Sequence, residues 1–217
     1  MLAIDLTKVV AGFNDPVNDS QRVFRDSLQA LSHPGTVVDL TLNAAIPDQA
    51  QPSAAVLLLA LLDADSNLWL SPTIAATDAA HWIVFHTNCT LVENPVLADF
   101  AWIHSIDEMP ELDSFNQGTD EYPEQSTTCL LNVDGFDSET PSKHALILQG
   151  PGILGTRPLN LKSISALNTE NLISQWHLNH QQFPKGVDFF LCAANQIAGL
   201  PRTTKLSLTQ STDFIKG

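Results

Sequence analysis

Residues 54–62 form an unbroken run of nine apolar side chains, Ala54, Ala55, Val56, Leu57, Leu58, Leu59, Ala60, Leu61 and Leu62. Ser53, just ahead of them, is a residue type that caps helices. A helix over this run is apolar on every side and has no face to offer water. It must therefore lie buried in the middle of a domain. A membrane-spanning helix needs about 20 apolar residues, so the run reads as core and not as a membrane span. The 217 residues are enough to enclose it. A chain of that length buries roughly 70% of its unfolded surface without a disulfide or metal staple. One domain over 1–217 is the expectation, with 1–18 and 209–217 at its periphery.

The rest of the pattern alternates between strand and helix. A helix opens near Asp19-Ser20, with Val23, Phe24, Leu28 and Leu31 as its apolar stripe and His33-Pro34-Gly35 as its stop. Val38, Leu40 and Leu42 alternate with polar residues and predict a strand. Further strands are predicted over 67–70, 100–103, 127–133, 145–148, 187–193, 197–200 and 204–208. A helix is predicted over 169–182, and another around 106–115. Residues 73–88 fit helix and strand equally well. Gly118 to Glu124 is acidic and turn-rich and reads as a surface loop. Strands interleaved with helices predict an α/β fold, a central mixed β-sheet flanked by helices. No linker divides the chain.

Charge excludes several functions. Ten Lys and Arg against 24 Asp and Glu give a formal charge of −14. Such a chain repels nucleic-acid backbone and anionic lipid, so neither nucleic acid nor membrane is a predicted partner. Residues 1–5 lack the basic and apolar regions of a signal peptide. The cysteines, Cys89, Cys129 and Cys192, are odd in number and far apart, which fits a reducing cytoplasm.

Motifs of known chemistry are sparse. His177 and His180 are spaced to share a metal, but no third ligand stands nearby and a solvated helix face explains them, so no metal site is predicted. His86 and Cys89 lack any feature that would activate the thiol. Ser126 sits in no nucleophile elbow. Gly150-Pro151-Gly152 follows a strand, where a glycine turn brings backbone amides close to an anion or simply supplies positive φ. No phosphate-loop or dinucleotide fingerprint accompanies it. The chain has four arginines, Arg22, Arg25, Arg157 and Arg202. Arg202 lies in Leu200-Pro201-Arg202-Thr203-Thr204, where a planar guanidinium adjoins two hydroxyls. That block reads either as an anion fork or as half of an internal Arg–carboxylate pair. Arg202, Thr203, Thr204, His86, Gly150 and Gly152 are the candidate ligand-binding residues, and no catalytic residue is assigned.

Taken in order, these blocks resemble the PhnH family, a subunit of the bacterial carbon–phosphorus lyase system. The matching stretches are Phe24-Arg25 through Ser32-His33-Pro34-Gly35, Leu61-Leu62-Asp63 through Trp69-Leu70-Ser71-Pro72, and Phe85-His86-Thr87 through Leu91-Val92. They continue with Tyr122-Pro123-Glu124 through Thr128, Gly150-Pro151-Gly152-Ile153, Phe183-Pro184 with Gly186-Val187-Asp188, and Leu200 through Thr204. Their order and spacing, over about residues 20–206, make the match specific. Lys185 departs from it, where the family suggests an apolar residue.

The resemblance implies a fold related to the pyridoxal-phosphate-dependent transferases and a homodimer when isolated. It further implies a core complex with the sibling subunits PhnG, PhnI and PhnJ. That system replaces the base of a nucleoside triphosphate with a phosphonate, giving α-D-ribose 1-methylphosphonate 5-triphosphate, and the family supplies no accepted catalytic residue. No cofactor is predicted. Pyridoxal phosphate needs a Schiff-base lysine beside a phosphate cradle, and none of Lys8, Lys143, Lys162, Lys185, Lys205 and Lys216 can be placed by one. The competing function is a stand-alone anion-binding protein or enzyme acting on a phosphonate or a phosphorylated small molecule. Surplus late apolar residues (Trp176, Phe183, Phe189, Phe190) point to surface that partners cover.

Overall fold

The computed structural model describes residues 10–137 and 145–208. The predicted loose tail after Thr209 lies outside them. In chain order the elements are α1 (Pro16–Ser32), β1 (Val37–Asp39), α2 (Pro52–Leu61), β2 (Asn67–Leu70), α3 (Pro72–Ala75), α4 (Asp78–Thr87), β3 (Thr90–Val92) and β4 (Phe100–Ile103). There follow β5 (Thr128–Asn132), β6 (Phe136–Asp137), β7 (Leu146–Gln149), β8 (Arg157–Leu161), α5 (Ala166–Gln181), β9 (Asp188–Ala193), β10 (Gln196–Leu200) and β11 (Lys205–Leu208).

Seven strands form the central sheet in the order β1-β10-β9-β5-β4-β2-β3. The strands from β9 to β3 run parallel, β10 adds to β9 antiparallel and β1 to β10 antiparallel, so the sheet is mixed. Strand alternation sends successive β9 side chains to opposite faces. Phe190 and Cys192 join α1, α2 and α4 in one apolar cluster, whereas Phe189, Leu191 and Ala193 join a second cluster on the other face. That second face is covered by α5 and by an antiparallel four-stranded sheet, β11-β7-β8-β6. The result is an α/β fold of three layers with apolar packing on both faces of the central sheet.

α2 lies within the first cluster, and Ala54 through Leu58 have no exposed surface. Full burial of each Val or Leu contributes about 2 kcal/mol, which makes this helix a main anchor of the layer. Ser53 does not cap it. Gln51 precedes the helix, Pro52 opens it, and Ser53 is fully buried. Residues 73–88, ambiguous in sequence, are helical: α3 and then α4, capped by the Thr77 hydroxyl. The helix expected around 106–115 is two short 3-10 turns, Ile106–Glu108 and Leu112–Ser114.

α1 departs further from its sequence pattern. It begins at Pro16 with Asp15 as cap, and Phe24 and Leu28 are exposed. The buried positions are Asp19, Val23, Ser27 and Ala30. The cause is Gly199 on β10, where an added Cβ would collide with the Ala30 carbonyl. Backbone approach that close selects small residues for the contact and turns the large ones outward. Residues before the helix are tied down as well: the Val10 carbonyl accepts from Trp82 Nε1 (3.0 Å) and His86 Nε2 (2.9 Å). Late aromatic residues read as surplus are mostly core. Trp176, Phe189 and Phe190 are buried because the sheet has two apolar faces, and only Phe183 is exposed.

Candidate functional site

Arg202 lies where the chain leaves the central sheet at Leu200 and enters the small sheet at Lys205. Its guanidinium pairs with Asp188 at the start of β9: Nε donates to Oδ1 at 3.1 Å and Oδ2 at 3.2 Å, and Nη2 also donates to Oδ2. Nη2 donates in addition to Ser126 Oγ at 2.6 Å, and Nη1 to the carbonyls of Pro123 (2.8 Å) and Pro184 (3.4 Å). The Arg202 backbone N–H reaches Asp188 Oδ1 at 2.7 Å. The two side chains are only 12% and 21% exposed, so this is a well-enclosed fork–fork pair. Of the two meanings open in the sequence, anion fork or internal pair, the second has its partners in place.

The glycine turn meets the same junction. A Cβ on Gly150 would stand 3.0 Å from the Thr203 carbonyl oxygen and 3.3 Å from Thr204 Cα. Gly152, at φ +80°, packs on the end of α1, where an added Cβ would collide with the Ser32 carbonyl. Thr204 is fully buried with its hydroxyl unpartnered, and its carbonyl accepts from Trp176 Nε1 at 2.7 Å. Five of the sequence blocks that carry the family resemblance thus converge on one region. They are the end of α1, the segment 122–128, the glycine turn, the segment 183–188 and the segment 200–204. Arg202, Thr203, Thr204, Gly150 and Gly152 are brought together there. His86 is not: it lies on α4, bonded to Val10 and edge-on to Trp82 and Phe85.

Nucleophile chemistry finds no support in the thiols. Cys89, Cys129 and Cys192 are buried. Burial pushes all three thiols upward, and at Cys129 the nearby Asp188 charge adds to the effect. Among the described residues no group of three His, Cys, Asp or Glu could hold a metal ion. Lys162 is exposed and pairs with Asp137 at 3.6 Å, Lys185 follows α5 in a turn, and Lys205 is exposed on β11. None of these three has the enclosed setting that a Schiff-base lysine requires.

Clefts of the described surface differ in charge. One beside the C-terminal half of α5 is lined by Glu111 and Asp113 with neutral amides. Two at the carboxyl ends of β4 and β5 share Asp134 and add Asp107 with Lys162, or Asp48 with His104. A fourth, between α5 and the small sheet, is lined by His177, His180 and Lys205 and by no carboxylate among the described residues. His180 connects it to the junction, since its Nδ1–H donates to the Arg202 carbonyl at 2.9 Å. Gln149, Thr156, Lys205 and Ser207 of this cleft carried no motif. The sequence signal for it was the His177/His180 spacing, whose meaning depends on which strand lies opposite.

Comparison with known proteins is consistent along the chain. The family model described as bacterial phosphonate metabolism protein (PhnH) matches residues 11–207. The chain is 34% identical over 194 residues to the α-D-ribose 1-methylphosphonate 5-triphosphate synthase subunit PhnH of Rhizobium meliloti (strain 1021), covering 89% of this chain and 93% of that one. It is 30% identical over 188 residues to HtxG of Stutzerimonas stutzeri, whose name assigns it to a C-P lyase as a subunit, with 87% and 86% covered.

Proposed function

The chain belongs to the PhnH family of bacterial phosphonate metabolism proteins, and from that premise we propose that it is the PhnH-type subunit of an α-D-ribose 1-methylphosphonate 5-triphosphate synthase. In this role it is needed, within a carbon–phosphorus lyase complex, to join a phosphonate to the ribose triphosphate of a nucleotide. The observation that carries the reading is similarity over nearly the full length of both chains, at 34% identity with a relative named as that subunit.

Its place is the cytoplasm, and its partners are a second copy of itself and the sibling subunits PhnG, PhnI and PhnJ. Surface features favour such contacts. Val17, Phe24 and Leu28 lie on the outer side of α1, 76%, 47% and 50% exposed. The occupant this face fits is a sibling subunit that offers apolar side chains. The three-layer fold is read as related to the pyridoxal-phosphate-dependent transferases, and what supports a role without that cofactor is that the described lysines, Lys162, Lys185 and Lys205, are exposed or sit in a turn. The test is growth of a strain lacking its own PhnH on methylphosphonate as phosphorus source. Expression of this chain restores growth; failure, where the R. meliloti subunit succeeds, would refute the assignment.

A further inference from the structure

We propose that the cleft between α5 and the small sheet is a binding site for a phosphorus oxyanion, a phosphonate or the polyphosphate of a nucleotide. The inference rests on the reading of the chain as a phosphonate-metabolism subunit and assigns that chemistry to a place on the molecule.

The first support is charge. An overall charge of −14 repels anions at long range, so an anion site needs a local surface free of carboxylates. The clefts at the strand ends and beside Glu111 do not offer one. The α5 cleft does: Lys205 makes no ion pair among the described residues, whereas Lys162 is paired with Asp137. The second support is donor chemistry. The Gln149 amide and the Thr156 and Ser207 hydroxyls line the same space as the Lys205 ammonium, giving several donors for a tetrahedral oxyanion. The third is size. A cavity volume of about 450 Å³ lies within the range of small-ligand sites and exceeds what a lone phosphate fills.

The histidines are set by their other bonds. His180 Nδ1 carries the proton that it donates to the Arg202 carbonyl, and in the neutral ring this leaves Nε2 as an acceptor for the P–OH of a monoprotonated phosphonate. Gln181 Nε2–H donates to His177 Nε2 at 2.8 Å, an arrangement that places the proton of a neutral His177 ring on Nδ1. Arg202 is thereby a positioning residue. Its fork fixes the segment whose carbonyl orients His180, and Lys205 follows three residues later.

Calorimetric titration of the isolated full chain with methylphosphonate and, separately, with inorganic triphosphate tests the site. Saturable binding of at least one probe is expected, weakened about tenfold or more in Lys205→Ala and unchanged in Lys162→Ala. Methylphosphonate binding alone identifies the phosphonate as ligand, and triphosphate binding alone identifies the nucleotide part. Neither probe binding, or binding indifferent to Lys205→Ala, overturns the site. Restored growth on methylphosphonate alongside that outcome leaves the subunit assignment standing, so the two failures are distinguishable.

Discussion

Asp188 sits at the start of β9 and holds the guanidinium of Arg202, whose remaining N–H groups go to Ser126, Pro123 and Pro184. Lysine in place of Arg202 keeps the charge but lacks the planar fork, so at least two of these acceptors lose their donor. Arg202→Lys should cost about 2 kcal/mol, a fall in Tm of roughly 4–8 °C by calorimetry. Unchanged melting together with lost growth on phosphonate would instead assign the fork to a ligand. The thiols give a second prediction at this scale. All three are buried and shifted upward, so the native protein at pH 8 should not react with a thiol reagent, while three groups react after denaturation. A thiol with a raised folded pKa favours the folded state below its unfolded value of about 8.5, and that contribution falls as pH rises above it. Urea midpoints should therefore decline on the alkaline side. Arg202 was visible in the sequence as a rare arginine beside two threonines, but its partners lie up to 79 residues away and no local pattern names them.

Helix α1 shows why element existence was easier to read than element orientation. Its stop at His33-Pro34-Gly35 is written in local turn chemistry and agrees with the observed end at Ser32. Its inward face depends on Gly199, which lies far along the chain and lets the helix backbone approach β10. Of the predicted stripe, Val23 and Leu31 pack on the core, whereas Phe24 and Leu28 turn outward. β4 and β2, by contrast, are short apolar runs between polar residues and match their predicted spans, 100–103 and 67–70. β3 and β8 were not anticipated: β3 has three residues and β8 contains Pro158, which demotes a strand pattern. Gly199→Ala should push α1 from the sheet and cost about 3 kcal/mol, read as a lower urea midpoint. Phe24→Ser, on the outer face, should leave that midpoint within about 0.5 kcal/mol.

At the scale of the molecule, the fold class was legible because residues 54–62 demand enclosure and the remaining segments alternate strand and helix. The second, four-stranded sheet was not, since β6 to β8 carry no signal that separates them from the central sheet. The cleft between α5 and that sheet was hidden for the same reason. The outer face of α1 belongs to this scale too: Phe24→Ser, silent in the isolated chain, should weaken recovery of a complex. None of the described lysines has an enclosed setting, and the purified chain should show no absorption band that borohydride removes. Membership of this chain in a carbon–phosphorus lyase assembly is put to the test by affinity purification of the tagged full chain, coexpressed with the PhnG, PhnI and PhnJ of its own host. All three siblings should be recovered with it in fixed proportion through size exclusion. Elution of a folded chain free of all three siblings would contradict it.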